Sequence, residues 1–350
     1  MEINEILKEG VKKGASDIHL SVGSPPILRI NGELVPMGDQ KLTYEDSRKL
    51  VYGMLTSEQV NKFETEFEVD LSYGIPDARF RVNVFMDLGG MSAALRTIPT
   101  TVPTMKDVEM PEIAYKLARL PRGLVLVTGP TGSGKSTSLA AMLDLINSER
   151  NCHIITIEDP IEFIYQRKKA IINQRELTIH TKSFSNALKY ALREDPDVLL
   201  VGEMRDLETI AAALTLAETG HLVFSTLHTI DAAQTIDRII DVFPPYQQQQ
   251  IRAQLSMALE GVISQQLMAR TGGGRVASRE VMIVNSAISN LIREAKTHQI
   301  YSAIQTGANA GMKTMEQSLK ELYQQGLVSY EDAISKSSNP DDLRKLLGGV

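Results

Sequence analysis

The run Gly129-Pro130-Thr131-Gly132-Ser133-Gly134-Lys135-Ser136 constrains this chain more than any other stretch. It fits G-x-x-x-x-G-K-[ST], and its surroundings fit as well: an apolar strand over residues 123–128 precedes it and a helix over 137–146, opening at Thr137, follows. Glycines in these places let the backbone curl until its N–H groups face a single point. The helix adds roughly half a positive charge at its N-terminus. Such a loop is built to hold phosphates. Lys135 is placed to reach β- and γ-phosphates and the Ser136 hydroxyl to ligate Mg²⁺. Nothing later in the chain resembles the Asn-Lys-x-Asp guanine reader, which favours ATP over GTP.

The segment around the loop reads as α/β. Short apolar runs at 124–127, 154–157, 198–201 and 222–226 alternate with helical stretches. Runs this dense, without polar alternation, suit parallel strands buried on both faces, and strand–helix alternation implies a sheet covered by helices. Ligands of such sheets bind beyond the carboxyl ends of the strands. The first run leads into the phosphate loop, the second ends in Glu158-Asp159-Pro160, the third in Gly202-Glu203 and the fourth near His228. These residues come from separate stretches, so their convergence carries more weight than any one of them.

Glu203 follows an apolar strand, where a carboxylate either holds the Mg²⁺ shell or orients an attacking water. Glu158 either polarises that water or holds a metal-bound one, although Asp159-Pro160 is also a plain turn signal. His228 is a candidate either to sense the γ-phosphate or to pass strain to a neighbour. His221 opens the same strand; seven residues at ~3.3 Å each put it roughly 23 Å from His228, so packing or a subunit contact suits it better.

The first hundred residues have a different grain. Residues 3–13 read as an amphipathic helix and 17–21 as a strand. Residues 26–30 and 33–35 flank Asn31-Gly32, a strong hairpin signal. Residues 43–67 are mostly helical, and 68–73, 78–86 and 92–98 alternate as antiparallel strands. Prolines punctuate 99–121, an interdomain linker with a docked helix at 112–119. Residues 1–98 thus form a small α+β domain and 122–350 a larger one. Beyond Pro244-Pro245 the chain reads as mainly helical, interrupted at 271–275 by three glycines.

The 350 residues suffice for two domains. A net charge of −6, no tryptophan and 5% aromatics argue against a nucleic-acid channel. The lone Cys152 excludes an intrachain disulfide and a zinc ribbon and reads as a small core residue. No apolar run approaches the ~18 residues of a bilayer span, and the acidic start lacks a signal-peptide pattern, so a cytoplasmic protein without direct membrane insertion is expected.

Taken together, these stretches resemble the retraction ATPases of type IV pili, within the secretion ATPases. The matching elements are Gly129–Thr137 (Walker A), Ile157-Glu158-Asp159-Pro160-Ile161-Glu162 (an "Asp box"), Val201-Gly202-Glu203-Met204-Arg205-Asp206 (Walker B) and the 220–228 segment (a "His box"), and the likeness extends from Ser16-Asp17-Ile18-His19-Leu20 to the late helices. The resemblance implies a PAS-like N-terminal domain, a RecA-like ATPase domain and a homo-hexameric ring. It implies ATP- and Mg²⁺-dependent hydrolysis that drives pilus retraction and twitching motility against an inner-membrane platform protein. It also implies Glu158 as the residue that activates water, Glu203 as the Walker B acid, and γ-phosphate arginines at Arg81 and Arg96; Arg79, on the same strand face as Arg81, is placed to assist. Assembly ATPases of the group are longer and carry a tetracysteine site that one cysteine excludes. A retraction signature nearly recurs at Ala287-Ile288-Ser289-Asn290-Leu291-Ile292-Arg293-Glu294, with Ser289 where arginine is usual; Ile288, Leu291 and Ile292 also suit an ordinary amphipathic helix. The alternatives are a related secretion or DNA-uptake ATPase, a nucleic-acid translocase, and a nucleotide-gated module with little turnover.

Overall fold

The computed structural model describes residues 2–30, 32–76, 78–99 and 101–348. The chain packs as two compact units, Met1–Thr101 with Glu162–Gln166, and Val102–Ile161 with Arg167–Val350.

The first unit contains α1 (Ile3–Lys12), β1 (Asp17–Leu20), β2 (Ile27–Ile30), β3 (Glu33–Pro36), α2 (Tyr44–Tyr52), α3 (Ser57–Glu66), β4 (Glu68–Ile75), β5 (Ala78–Asp87) and β6 (Gly90–Ile98). Among the described residues its strands form one antiparallel sheet in the order β3-β2-β1-β6-β5-β4. The β2–β3 hairpin forms as the sequence predicts, with Ile30 opposite Glu33; Asn31 of its turn lies outside the described residues. Thr43 and Thr56 cap α2 and α3, each in a reciprocal bond with the residue three places on, which supplies otherwise orphaned amides. Period-2 alternation sets the two faces of the sheet. Phe80, Val82 and Val84 of β5 and Leu95 of β6 are buried with Ile6, Leu7, Val51 and Phe63, while Arg81 and Arg96 point to the open face.

The second unit begins with α4 (Glu112–Ala118), β7 (Gly123–Thr128), α5 (Lys135–Glu149), β8 (His153–Glu158), β9 (Ile171–Glu176), α6 (Phe184–Ala191), β10 (Val198–Val201), α7 (Leu207–Glu218), β11 (Leu222–Leu227), α8 (Ala232–Asp241) and α9 (Pro245–Ala258). It continues through β12 (Leu259–Ala269), β13 (Arg275–Ile283), α10 (Ser286–Arg293), α11 (Ile300–Thr306), α12 (Met315–Gln324), α13 (Tyr330–Lys336) and α14 (Pro340–Leu346). Its sheet runs β13-β12-β7-β11-β10-β8-β9. All neighbours are parallel except β12 with β13. Every residue of β7, β10 and β11 is buried, as continuous apolar runs require.

One expectation needs correcting. Helices predominate after Pro244-Pro245, but β12 and β13 form a long antiparallel hairpin among them, and residues 271–274 are its turn. The three glycines are that turn, with Gly272, Gly273 and Gly274 all at positive φ. Burial on both faces removes the polar alternation that marks a strand, so Gly261 to Gln265 are all buried, polar Ser264 and Gln265 included. The edge strand β9 also escapes a sequence reading, because Asn173, Gln174, Arg175 and Glu176 dilute its apolar start. Among the described residues no helix is long and apolar enough to cross a membrane.

Candidate nucleotide site

The register of the parallel strands brings the predicted residues to one edge. Val201 of β10 lies beside Ile157 of β8 and Ser225 of β11, and Ser225 lies beside Leu126 of β7. One step on, Glu158, Gly202 and Thr226 emerge together. The loops beyond are stitched to each other: the Gly202 amide donates to the Ile157 carbonyl (2.8 Å), the Thr226 hydroxyl to the Gly202 carbonyl (2.6 Å) and the Met204 amide to the Thr226 carbonyl (3.2 Å). Backbone bonding of this kind fixes where Glu158 and Glu203 start, before their side chains are considered.

Gly129, Gly132 and Gly134 adopt positive φ, which a glycine enters without a Cβ penalty. A Cβ on Gly129 would sit 2.2 Å from the Gln265 carbonyl oxygen, so this position has room for glycine only. Pro130, Thr131 and Gly132 are exposed at the mouth of the loop, Ser133 is buried, and Ser136 and Thr137 are half-buried on the first turn of α5. Lys135, 9% exposed, donates to the Gly129 carbonyl (2.9 Å) and the Pro130 carbonyl (3.1 Å), which holds its ammonium inside the curl. Among the described residues the buried Ser133 hydroxyl oxygen has no hydrogen-bond partner. A buried hydroxyl in that condition costs free energy that an arriving acceptor repays. With the positive end of α5 and a folded-in ammonium, the loop has the chemistry of a polyphosphate cradle.

Glu203 sits in a charge cluster. Its Oε1 lies 2.6 Å from Arg205 Nε and 3.3 Å from His228 Nε2. Burial opposes its ionisation, but the Arg205 hydrogen bond and the charges of His228 and Arg205 prevail, holding the carboxyl below the usual range. The two boxes that carry Glu203 and His228 thus meet directly. Glu158, 8% exposed, accepts from the Thr156 hydroxyl at 2.6 Å and from Gln174 Nε2 at 3.4 Å, which orient it along the sheet edge. His221 lies at the other end of β11, its Nδ1 3.0 Å from the Leu216 carbonyl and 3.3 Å from the Thr219 hydroxyl at the close of α7. That is a helix-end contact.

Ser136 and Glu203 supply hard oxygen donors of the type Mg²⁺ takes. Among the described residues no group of three or more His, Cys, Asp and Glu side chains gathers into a metal cage, so a divalent ion here would depend on phosphate oxygens for much of its shell.

In the first unit, Arg81 and Arg96 are direct cross-strand partners. Arg96 also faces Asp17 across β1, and Asp17 faces Arg29. The result is one rung, Arg81, Arg96, Asp17 and Arg29, in which Asp17 accepts from Arg96 Nε at 2.9 Å. Ser289, which replaces the arginine of the retraction signature, turns inward and donates to the Ser256 carbonyl of α9 at 2.9 Å. It ties two helices together, whereas Arg293 and Glu294 of that signature are exposed.

Two residues at the loop escape a sequence reading altogether. Gln265 and Arg279, partners in the β12–β13 register, lie behind the phosphate loop: Gln265 donates to the Ser133 carbonyl at 2.7 Å. No local motif marks either, because each owes its place to strands folded in from far downstream.

Comparison with known proteins finds relatives over nearly the whole chain. The chain is 52% identical over 343 residues to the type IV pilus retraction ATPase PilT of Pseudomonas aeruginosa, covering 98% of this chain and 100% of that protein. It is 52% identical over 320 residues to a twitching motility protein of Neisseria gonorrhoeae, covering 91% of this chain and 86% of that one. A crystal structure of the pilus retraction motor PilT with bound ADP superposes with a TM-score of 0.93 at 51% identity, covering 99% of each chain. The family described as "Type II/IV secretion system protein" matches residues 1–335, and the chain belongs to that family.

Proposed function

We propose that this protein is an ATP-hydrolysing motor that powers retraction of type IV pili. The observation that carries the reading is the meeting of phosphate loop, Glu158, Glu203 and His228 on one edge of a parallel sheet, in a chain 52% identical over nearly its full length to a pilus retraction ATPase. Lys135 and the loop amides bind the phosphates. Ser136 and Glu203, together with the phosphates, would hold Mg²⁺, which would screen the phosphate charge. Glu158 activates the attacking water, and Glu203 stays ionised beside Arg205 and His228. Arg81 and Arg96 meet charge developing on the γ-phosphate; an arginine in that role is worth roughly 10³–10⁵-fold in rate. Residues 1–98 act as an arginine-bearing domain, 99–121 as the connector and 122–350 as the ATPase domain. The working form is a homo-hexameric ring in the cytoplasm, docked at the inner membrane on a pilus platform protein.

The test is a strain carrying Lys135→Ala or Glu203→Gln. It should keep surface pili and lose their retraction, and the purified variants should release little phosphate from ATP. Normal retraction in either strain would sink the proposal.

A further inference from the structure

The phosphate loop is braced from behind. Gln265 is 1% exposed, and each end of its amide is engaged. Nε2 donates to the Ser133 carbonyl at 2.7 Å, while Oε1 accepts from the Ser138 hydroxyl at 2.9 Å and from Arg279 Nε at 3.4 Å. One side chain therefore grips both the loop and the first turns of α5. The backbone of β12 presses equally close, since Gly129 must be glycine to clear the Gln265 carbonyl.

The other side of Arg279 faces the stretch between residue 101 and α4. Its Nη1 donates to the Glu109 carbonyl at 2.9 Å and its Nη2 to the Val108 carbonyl at 2.7 Å. Burial pushes this guanidinium down to about 10, still protonated at neutral pH, so its charge is met largely by carbonyl dipoles. The stretch it grips is shaped for the purpose. Thr104 and Asp107 close a turn on each other, and Glu109 adopts a left-handed φ of +49°. A non-glycine residue holds that conformation only where its surroundings impose it. This stretch is also the covalent continuation of the first unit.

We infer that Gln265 and Arg279 form a bridge that ties the shape of the phosphate loop to the 104–110 turn, so that nucleotide occupancy is felt in the segment leading to the N-terminal unit. The physical route is short. Lys135 donates to two carbonyls of its own loop, and phosphate oxygens compete for that ammonium. A shift of the loop backbone moves the Ser133 carbonyl, and with it the Gln265 amide, the Arg279 fork and the carbonyls of Val108 and Glu109. Gln265 and Arg279 are positioning residues. The inference rests on the nucleotide-binding reading and adds a direction of communication to it.

A double-mutant cycle on the full-length protein tests it, with Gln265→Met, Arg279→Lys and the pair, reading ADP affinity and the KM and kcat for MgATP. Arg279→Lys should raise the KM and weaken ADP binding about tenfold while kcat stays within about threefold, although its contacts are with Gln265 and the 104–110 turn. Gln265→Met should do the same, and the pair should be no worse than Gln265→Met alone. Independent, multiplying effects would overturn the bridge, as would an Arg279→Lys protein indistinguishable from the parent. Wild-type protein supplies a second measurement that survives any failure of the variants to fold. Amide exchange at Val108–Met110 should slow several-fold on adding ADP, and unchanged exchange would overturn the inference. Wild-type protein that binds no ADP would instead defeat the nucleotide-binding reading itself.

Discussion

At Glu203, two side chains within hydrogen-bonding range do different jobs. Arg205 is largely exposed and holds the carboxylate from the solvent side, whereas His228 approaches from β11 and links the acid to the neighbouring strand. Because the folded-state carboxyl lies below its ordinary range, Glu203 stays ionised as pH falls further than a free glutamate would. Removing Arg205 reverses this: in Arg205→Ala, burial is less opposed, and the acidic limb of the kcat–pH profile should move to higher pH. Glu203→Gln should lower turnover by about 10²-fold or more while ADP affinity changes little, since it removes a charge aimed at the transition state. An unmoved acidic limb in Arg205→Ala would show that some other group sets it.

Among the elements, α8 shows how helix entry is coupled to charge. It starts at Ala232, where Asp231 caps it by accepting from the Gln234 amide and Glu280 of β13 accepts from the Ala232 amide at 2.8 Å. Burial pushes the Glu280 carboxyl up to about 8, and Asp231 and Glu316 nearby reinforce the shift. Burial raises Asp231 too. An acid whose folded pKa is raised binds its proton more tightly folded than unfolded. Its stability contribution is therefore full below the unfolded value near 4.5 and lost as pH climbs towards about 8. The melting temperature should fall between about pH 5 and pH 8, and Glu280→Gln should flatten that slope; an equally steep slope in the variant would refute the assignment. The same element level explains what was legible. The phosphate loop and the four apolar runs announce themselves, because each is a local pattern with one structural solution. Glu158, Glu203 and His228 follow from the rule that ligands gather at carboxyl ends of parallel strands. Strands β12 and β13 carry no such pattern, since burial on both faces lets Ser264, Gln265 and Arg279 sit where alternation would demand otherwise. The pairing of Arg81 with Arg96, likewise, belongs to a register that neither sequence stretch contains alone.

On the scale of the whole chain, the β12–β13 hairpin joins regions that are far apart in sequence. Its middle holds the phosphate loop through Gln265. Its far end carries Met268 and Val276 into a small core with Met315, Leu319, Ala333 and Leu343 of the last helices and Val328 between α12 and α13. Backbone and side-chain bonds repeat the connection: the Arg279 amide donates to Ser318 Oγ, Val281 and Lys313 exchange two bonds, and Gln266 donates to the Lys336 carbonyl. Leu319→Ala empties the centre of that core, a change that costs about 2–5 kcal/mol for a buried leucine. It should lower the melting temperature and also weaken ADP binding, measured in the full-length protein at a temperature where it stays folded; unaltered affinity would show the two ends of the hairpin to be mechanically independent. The hairpin is then built as a lever, one arm in the terminal helices and the other under the phosphate loop, and a load placed on those helices is expected to be read out as altered ADP affinity.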